Sequence, residues 1–246
     1  MSIVISGAGS NPALPLDQSY ADQILASPAL VEWFDSGTYT LGTAPAVQTL
    51  ISRKPGGRTL GQAASGNRPA LSAAGAIGSY SEITFTGAQV MRMSSTIDLT
   101  QPFTWVAVMR FVASNSTTSI VDNQNGSARS SLILTSQGYL AFAQGNGIAA
   151  MSTPPSVGWH FIVCGHDGNT ASIAVDGGTA VTHATDNNAS TLVLELGANN
   201  ASLTYPLTGG FADLIMLSGS PTANAALIEL IKTYCRAAYG SSVSIA

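Results

Sequence analysis

Residues 158–178 read GWHFIVCGHDGNTASIAVDGG. The first nine are rich in aromatic and β-branched side chains, which suit a pleated, packed strand. Asp167-Gly168 then supplies the residue pair that closes tight hairpin turns. In the segment that follows, Ile173 and Val175 alternate with small and polar residues until Asp176-Gly177 breaks the run, so one side of that strand faces a core. Strand, turn and strand predict an antiparallel β protein.

The same grammar repeats in both directions. LVEWFD at 30–35, SEITFTG at 81–87, TWVAVMRFV at 104–112, TSIVDN at 118–123, SLILTS at 131–136 and YLAFAQ at 139–144 precede it; TLVLELG at 191–197 and GFADLIML at 210–217 follow. Short strands at this spacing predict an all-β, two-sheet antiparallel jelly-roll sandwich. Residues 36–78, rich in Gly, Pro, Ala and Thr, predict a long irregular connection with at most a brief strand near 47–51. One helix is predicted at 221–239, with Ser220 as cap, Pro221 at the first position, Gly240 as the stop, and Leu227, Ile231, Tyr234 and Ala238 as its buried stripe. Residues 1–27 hold the strand candidate SIVIS and a short helix from Asp17 with Tyr20/Ile24 and Ala21/Leu25 pairs. The expected organisation is an N-terminal arm or docking segment at 1–27, a sandwich with its helix at 28–240, and a tail at 241–246.

Of the 246 residues 45% are apolar and only 9% charged, against about 25% charged in ordinary soluble domains. The surface is therefore expected to be covered by Ser, Thr, Asn, Gln and Gly, which suits a component of an assembly or an extracellular surface. Thirteen acids against nine bases, with no long charged block, disfavour nucleic-acid binding. Arg53, Lys54, Arg58 and Arg68 concentrate four of the nine bases, as a solvated loop or a phosphate or acidic-glycan contact. No stretch is apolar enough for a membrane span or a signal peptide, so the expectation is synthesis in a host cytoplasm. Cys164 and Cys235 lie in apolar runs and read as packing residues.

Residues 158–178 resemble the central signature of laminin-G-like, concanavalin-type jelly rolls, a Trp-His strand, a D-G turn and a strand ending in V-D-G. LELGANNASLTYPLTGGFADLIMLSGS (194–220) resembles that family's later strands, and PALVEWFDSG (28–37), NRPALS (67–72) and SYSEITFTGAQVMRM (79–93) resemble the opening strands of such domains in bacteriophage head and tail proteins. The resemblance implies a virion structural protein, a capsid decoration or tail-associated component. Its partners would be other virion proteins, engaged through residues 1–27. The arm and an exposed sheet edge imply self-association. The alternative is an adhesin that binds host surface glycans.

Chemistry-bearing patterns are sparse. The fold also hosts glucanases, which need paired carboxylates, yet Glu195 is alone in its strand and Glu32, Asp35, Glu82, Asp122 and Asp213 are scattered. Nucleophile-elbow, zinc and nucleotide motifs are absent from the sequence. The expectation is therefore a chain that is not an enzyme and has no cofactor apart from a candidate calcium ion on Asp122 and Asp186, both in Asn-rich segments. Tyr39, Tyr80, Tyr139 and Tyr205, near turns, are the candidate glycan-stacking residues. His160 reads as a strand side chain rather than a ligand. Asn115, Asn125, Asn188 and Asn200 fit the sequon pattern but read as turn residues.

Overall fold

In the computed structural model the described residues are 4–6, 15–112, 116–125, 128–186, 191–198 and 205–245. Asn115, Asn188 and Asn200 lie outside them.

Two antiparallel sheets face each other. Sheet A is built from β1 (Val4–Ser6), β3 (Thr38–Leu41), β4 (Val47–Ile51), β5 (Thr59–Gly61), β8 (Met91–Asp98), β10 (Thr118–Asn125), β11 (Ala128–Leu134), β12 (Leu140–Gln144), β13 (Gly147–Ala150) and β17 (Thr191–Leu196). Its order is β1-β3-β4-β5-β8-β17-β10-β11-β12-β13. Sheet B contains β2 (Leu30–Asp35), β6 (Ala70–Leu71), β7 (Ile83–Thr86), β9 (Phe103–Phe111), β14 (Gly158–His166), β15 (Thr170–Val175), β16 (Val181–Ala184), β18 (Thr208–Ser218) and β19 (Val243–Ser244). Its path is β16-β15-β14-β9-β18-β7-β6, with β2 also on β18 and β19 on β14. The hairpin of the opening stretch is β14 and β15, paired from Ile162↔Val175 to His166↔Ala171.

The helices α1 (Pro15–Leu25) and α2 (Ala225–Tyr239) add a third layer. Phe34, Trp105, Ala107, Ile162, Cys164, Leu214 and Met216 belong to the core between the sheets. Their strand neighbours Trp33, Val106, Val108, Phe161, Val163, Ile215 and Leu217 belong to a second core with Ala21 and Ile24 of α1 and Ile231 and Cys235 of α2. Burial on both faces explains why β9, β14 and β18 read as continuous apolar runs rather than alternating ones. The single core-facing side read for the strand with Ile173 and Val175 therefore does not extend to the centre of sheet B.

Residues 36–78 are more regular than expected. They hold β3, β4, β5 and β6, short strands whose Gly, Pro and Thr content hides the pattern. Helix α2 begins at Ala225, not 221, because residues 221–224 form turns in which the Ala223 N–H bonds Ser220 Oγ at 3.3 Å. Asn224 buries its amide, donating to the carbonyls of Ser218 (2.9 Å) and Gly219 (2.8 Å) and to Thr104 Oγ1 (3.1 Å), and so pins the helix start to sheet B. Residues 243–244, expected as a tail, pair in parallel with Trp159 and His160.

Strand spacing at the centre of sheet B leaves no room for a side chain at Gly165, where a Cβ would lie 2.1 Å from the Phe103 carbonyl oxygen. Gly165→Ala is expected to lower stability by about 2–3 kcal/mol. At Gly66, where nothing lies within 4 Å, the same change should stay within about 0.5 kcal/mol. Urea midpoints of the two variants check the contrast.

Candidate functional site

The helix-side core draws no residue from sheet A, so among the described residues the face of sheet A turned away from sheet B is the one the helices leave uncovered. Strand alternation decides which side chains stand on it. Leu132, Val121, Leu196 and Met91 point into the core. Their strand neighbours Ser131, Asp122, Glu195 and Arg92 point outward. The register lines these four up across adjacent strands, Arg92↔Glu195, Glu195↔Asp122 and Asp122↔Ser131, and continues to Gly61 on one side and to Ala143 and Ile148 on the other. A single row thus crosses β5, β8, β17, β10, β11, β12 and β13.

Its polar centre is tightly bonded. Arg92 Nε lies 2.7 Å from Glu195 Oε1, with the arginine half-exposed and the carboxylate buried. Ser131 Oγ donates to Asp122 Oδ1. Burial holds the Asp122 carboxyl up at about 6, against the pull of the Ser131 hydroxyl, the Asn123 backbone and the Arg129 charge. Residues directly opposed on neighbouring antiparallel strands carry their Cβ atoms about 4.5–5.5 Å apart. The row therefore sets side by side one carboxylate matched to a guanidinium and one that keeps its proton into mildly acidic conditions. Next to them Ser131, Ala141 and Ala143 are buried, with Ile148 at the end of the row 39% exposed. The exposed members of the row are Arg92 and Ile148, a guanidinium that can donate to hydroxyl groups and an apolar side chain that can meet a ring face.

Glu195 was expected to stand alone, and within its strand it does. What the linear pattern misses is the long-range register that brings Asp122 from β10 and Arg92 from β8 beside it. The legible signal was alternation, since MRM puts Arg92 opposite Met91 and Met93, and LEL puts Glu195 opposite Leu194 and Leu196. Asp122, near the end of the strand candidate at 118–123, is in mid-strand because β10 runs on to Asn125.

Asp186 lies elsewhere, after β16, where its Oδ1 accepts from the Asn146 N–H at 3.0 Å and its N–H returns to Asn146 Oδ1 at 3.1 Å. Among the described residues no three His, Cys, Asp or Glu side chains converge on a metal position, so the candidate calcium pair Asp122 and Asp186 has no further carboxylate to complete it.

The four tyrosines differ in their surroundings. Tyr39 packs against the inter-sheet core. Tyr80 sits edge-on to Tyr239 under the helices, ring centres 5.5 Å apart. Tyr139 is half-buried, its N–H bonded to Thr135 Oγ1 at 3.1 Å. Tyr205 alone is well exposed, at 48%, with φ of 54°. The basic group is spent internally: Arg53 pairs with Asp35 at 3.3 Å and Arg58 with Glu32 at 2.7 Å, Lys54 donates to the Leu30 carbonyl at 2.6 Å, and Arg68 to those of Gln62 and Ala63 at 2.8 and 2.7 Å. A cleft of about 80 Å³ opens between the sheets beside Leu99, Phe103, Trp105 and Met216, well under the roughly 300–1,000 Å³ of typical small-molecule sites.

No protein-family model and no curated protein matches the sequence. Solved structures do match the fold. An arabinofuranosidase complexed with arabinofuranosyl-α-1,2-xylobiose superposes with a TM-score of 0.62 at 13% identity over 87% of this chain and 60% of its own. The Trypanosoma rangeli sialidase gives 0.54 at 10% identity over 83% and 35%. Domain 4 of AbnA, a GH43 extracellular arabinanase of Geobacillus stearothermophilus, in complex with arabinotriose gives 0.54 at 13% identity over 81% and 98%. The chain thus spans 60% of the length of the arabinofuranosidase it matches. At these identities the likeness shows the fold alone, a two-sheet antiparallel β sandwich.

The expectation of a chain that is not an enzyme is corrected here. The arabinofuranosidase and the sialidase that share the sandwich are glycoside hydrolases, so fold gives no ground for setting enzymatic activity aside. None of these three neighbours is a virion component.

Removing the Ser131 hydroxyl takes away a hydrogen bond that favours the ionised Asp122. In Ser131→Ala the Asp122 titration midpoint is therefore expected to move further up, as read from side-chain carboxyl carbon shifts, while a midpoint that falls would contradict the assignment.

Proposed function

We propose that this chain is a carbohydrate-binding domain that takes its ligand on the outward face of sheet A. The observation that carries the reading is the row Arg92–Glu195–Asp122–Ser131, in which an exposed guanidinium is backed by buried carboxyl and hydroxyl groups on the face that the helices leave uncovered. It is supported by the match to the arabinanase domain, which covers 98% of that domain, itself crystallised with arabinotriose. Guanidinium and carboxylate groups in fixed register discriminate hydroxyl positions, since a sugar lacking one hydroxyl leaves a recessed polar group unpaired. The setting we propose is the surface of a bacteriophage particle, with a host glycan as the ligand; the helix in residues 1–27, expected as a docking arm, packs into the protein's own helix-side core through Ala21 and Ile24. That setting rests on the motif resemblance.

The test is calorimetric titration of the full chain with arabino- and xylo-oligosaccharides, backed by a wider glycan array. Binding with a Kd in the micromolar to millimolar range is expected, weakened about tenfold or more in Glu195→Gln and Arg92→Ala. Equal affinity in both variants would remove the row from the site, and no binding to any glycan would remove the function.

A second reading is favoured by the protonation contrast within the row. Two opposed carboxyls, one ion-paired and one protonated up to about pH 6, are the raw material of glycoside hydrolysis, in which one group gives a proton to the leaving oxygen and the other attacks or activates water. Release of reducing ends from a bound oligosaccharide, lost in Asp122→Asn with binding retained, would establish it.

A further inference from the structure

We propose that the chain carries a second saccharide site on sheet B, where the Trp159 indole and the Arg110–Glu82 pair take a neutral sugar ring. The site extends the carbohydrate reading to the opposite sheet and shares no residue with the row on sheet A.

Register again builds the site. Trp159 of β14 pairs with Arg110 of β9, Arg110 with Gly210 of β18, and Gly210 with Thr84 of β7. Two residues along the same strands, Val108 and Phe161 lie buried in the helix-side core. Alternation puts Arg110 and Trp159 on that same side of sheet B. There they emerge from the cover. The Arg110 side chain is 28% exposed, and Trp159 and Thr84 are half-buried. Val157, just ahead of β14, is 71% exposed and adds an apolar neighbour in sequence.

The polar half of the site is fixed in advance. Glu82, just before β7, is buried. It accepts from Arg110 Nε at 2.9 Å, from Arg110 Nη2 at 2.7 Å and from Thr84 Oγ1 at 3.1 Å. Gly210 makes room for this carboxylate, since a Cβ there would lie 2.4 Å from Glu82 Oε2 and 3.2 Å from Arg110 Nε. Two parallel bonds hold the guanidinium in one orientation. Its Cζ stands 6.0 Å from the centre of the Trp159 ring.

What the pair leaves open sets the ligand. Among the described residues Arg110 Nη1 and the Trp159 indole N–H have no hydrogen-bond partner, and the buried side-chain atoms that lack one are on Trp105, Asn123 and His166 instead. Both donors therefore reach the surface. Two donors beside a part-exposed indole suit a sugar, whose C–H face packs on the ring while its oxygens accept from the N–H groups. Charge selects a neutral sugar. Glu82 already matches the guanidinium, so a carboxylate or sulfate would bind next to a like charge. The bidentate pair also lowers the ordering cost of binding, because the arginine is held before the ligand arrives.

The test follows the Trp159 indole N–H resonance of the full chain, assigned by its loss in Trp159→Phe. The chain is titrated with arabino- and xylo-oligosaccharides and, separately, with oligogalacturonate. A saturating shift with a neutral oligosaccharide is expected. The Trp33 indole N–H, which donates to buried Asp213 at 2.8 Å, should stay in place and so report an intact fold. Arg110→Lys keeps the charge but loses the fork, and should weaken the Trp159 titration about tenfold. Glu195→Gln should leave it unchanged. No Trp159 shift with neutral oligosaccharides up to about 10 mM overturns the site, as does a shift with oligogalacturonate alone, an undiminished titration in Arg110→Lys, or a titration lost in Glu195→Gln. Should Arg110→Lys displace the Trp33 signal, the native Arg110 Nε–H resonance serves instead, and must shift with the Trp159 midpoint for the site to stand. Sugar binding that disappears in Glu195→Gln while Trp159 stays silent throughout would remove this site and leave the row on sheet A.

Discussion

Everything in this molecule hangs on sheet B being a shared wall. The three long strands β9, β14 and β18 bury side chains on both faces, so a shift of register by one residue would exchange two packed cores rather than turn one face out to solvent. That constraint fixes the strands to one another and leaves variation to sheet A and the loops. It also explains where charge can go. Asp213 and His160 are tolerated in the wall because each has its bonding partners in place, while charged side chains on sheet A can gather in a row on the face away from the wall.

The strand grammar was legible because tight turns use a small vocabulary. Asp167-Gly168 and Asp176-Gly177 marked both ends of β15, and Asp176 and Gly177 adopt the left-handed backbone such turns require, with φ of 55° and 77°. Helix α2 was legible by its stripe and by Gly240. Its first turn was not, because Ser220 and Pro221 look like a cap and a first helical residue, whereas it is the Asn224 amide, tied to β9 and the end of β18, that sets the start. The strands in residues 36–78 were hidden for a different reason. They are two to five residues long, too short for alternation to show.

The candidate site was the least legible part. Each of its residues obeys a local rule, yet their meeting depends on pairings between β8, β17, β10 and β11, which come from separate parts of the chain. A ring near a turn can be drawn under a helix layer, as Tyr80 is, or left in solvent, as Tyr205 is. Asp122 looked like a calcium ligand because Asn residues follow it, whereas the chain runs on as strand and turns that carboxylate toward Ser131.

One consequence concerns how this protein behaves in bulk solution. Among the described residues Glu32, Asp35, Glu82, Asp122, Glu195 and Asp213 are all buried, and Arg53, Arg58, Arg92 and Arg110 are occupied as partners of four of them. A chain with few charges thus turns many of them inward. What it presents to its surroundings is hydrated mostly through hydroxyls, amides and backbone, so its colloidal behaviour should respond weakly to ionic strength and strongly to solutes that compete for water of hydration.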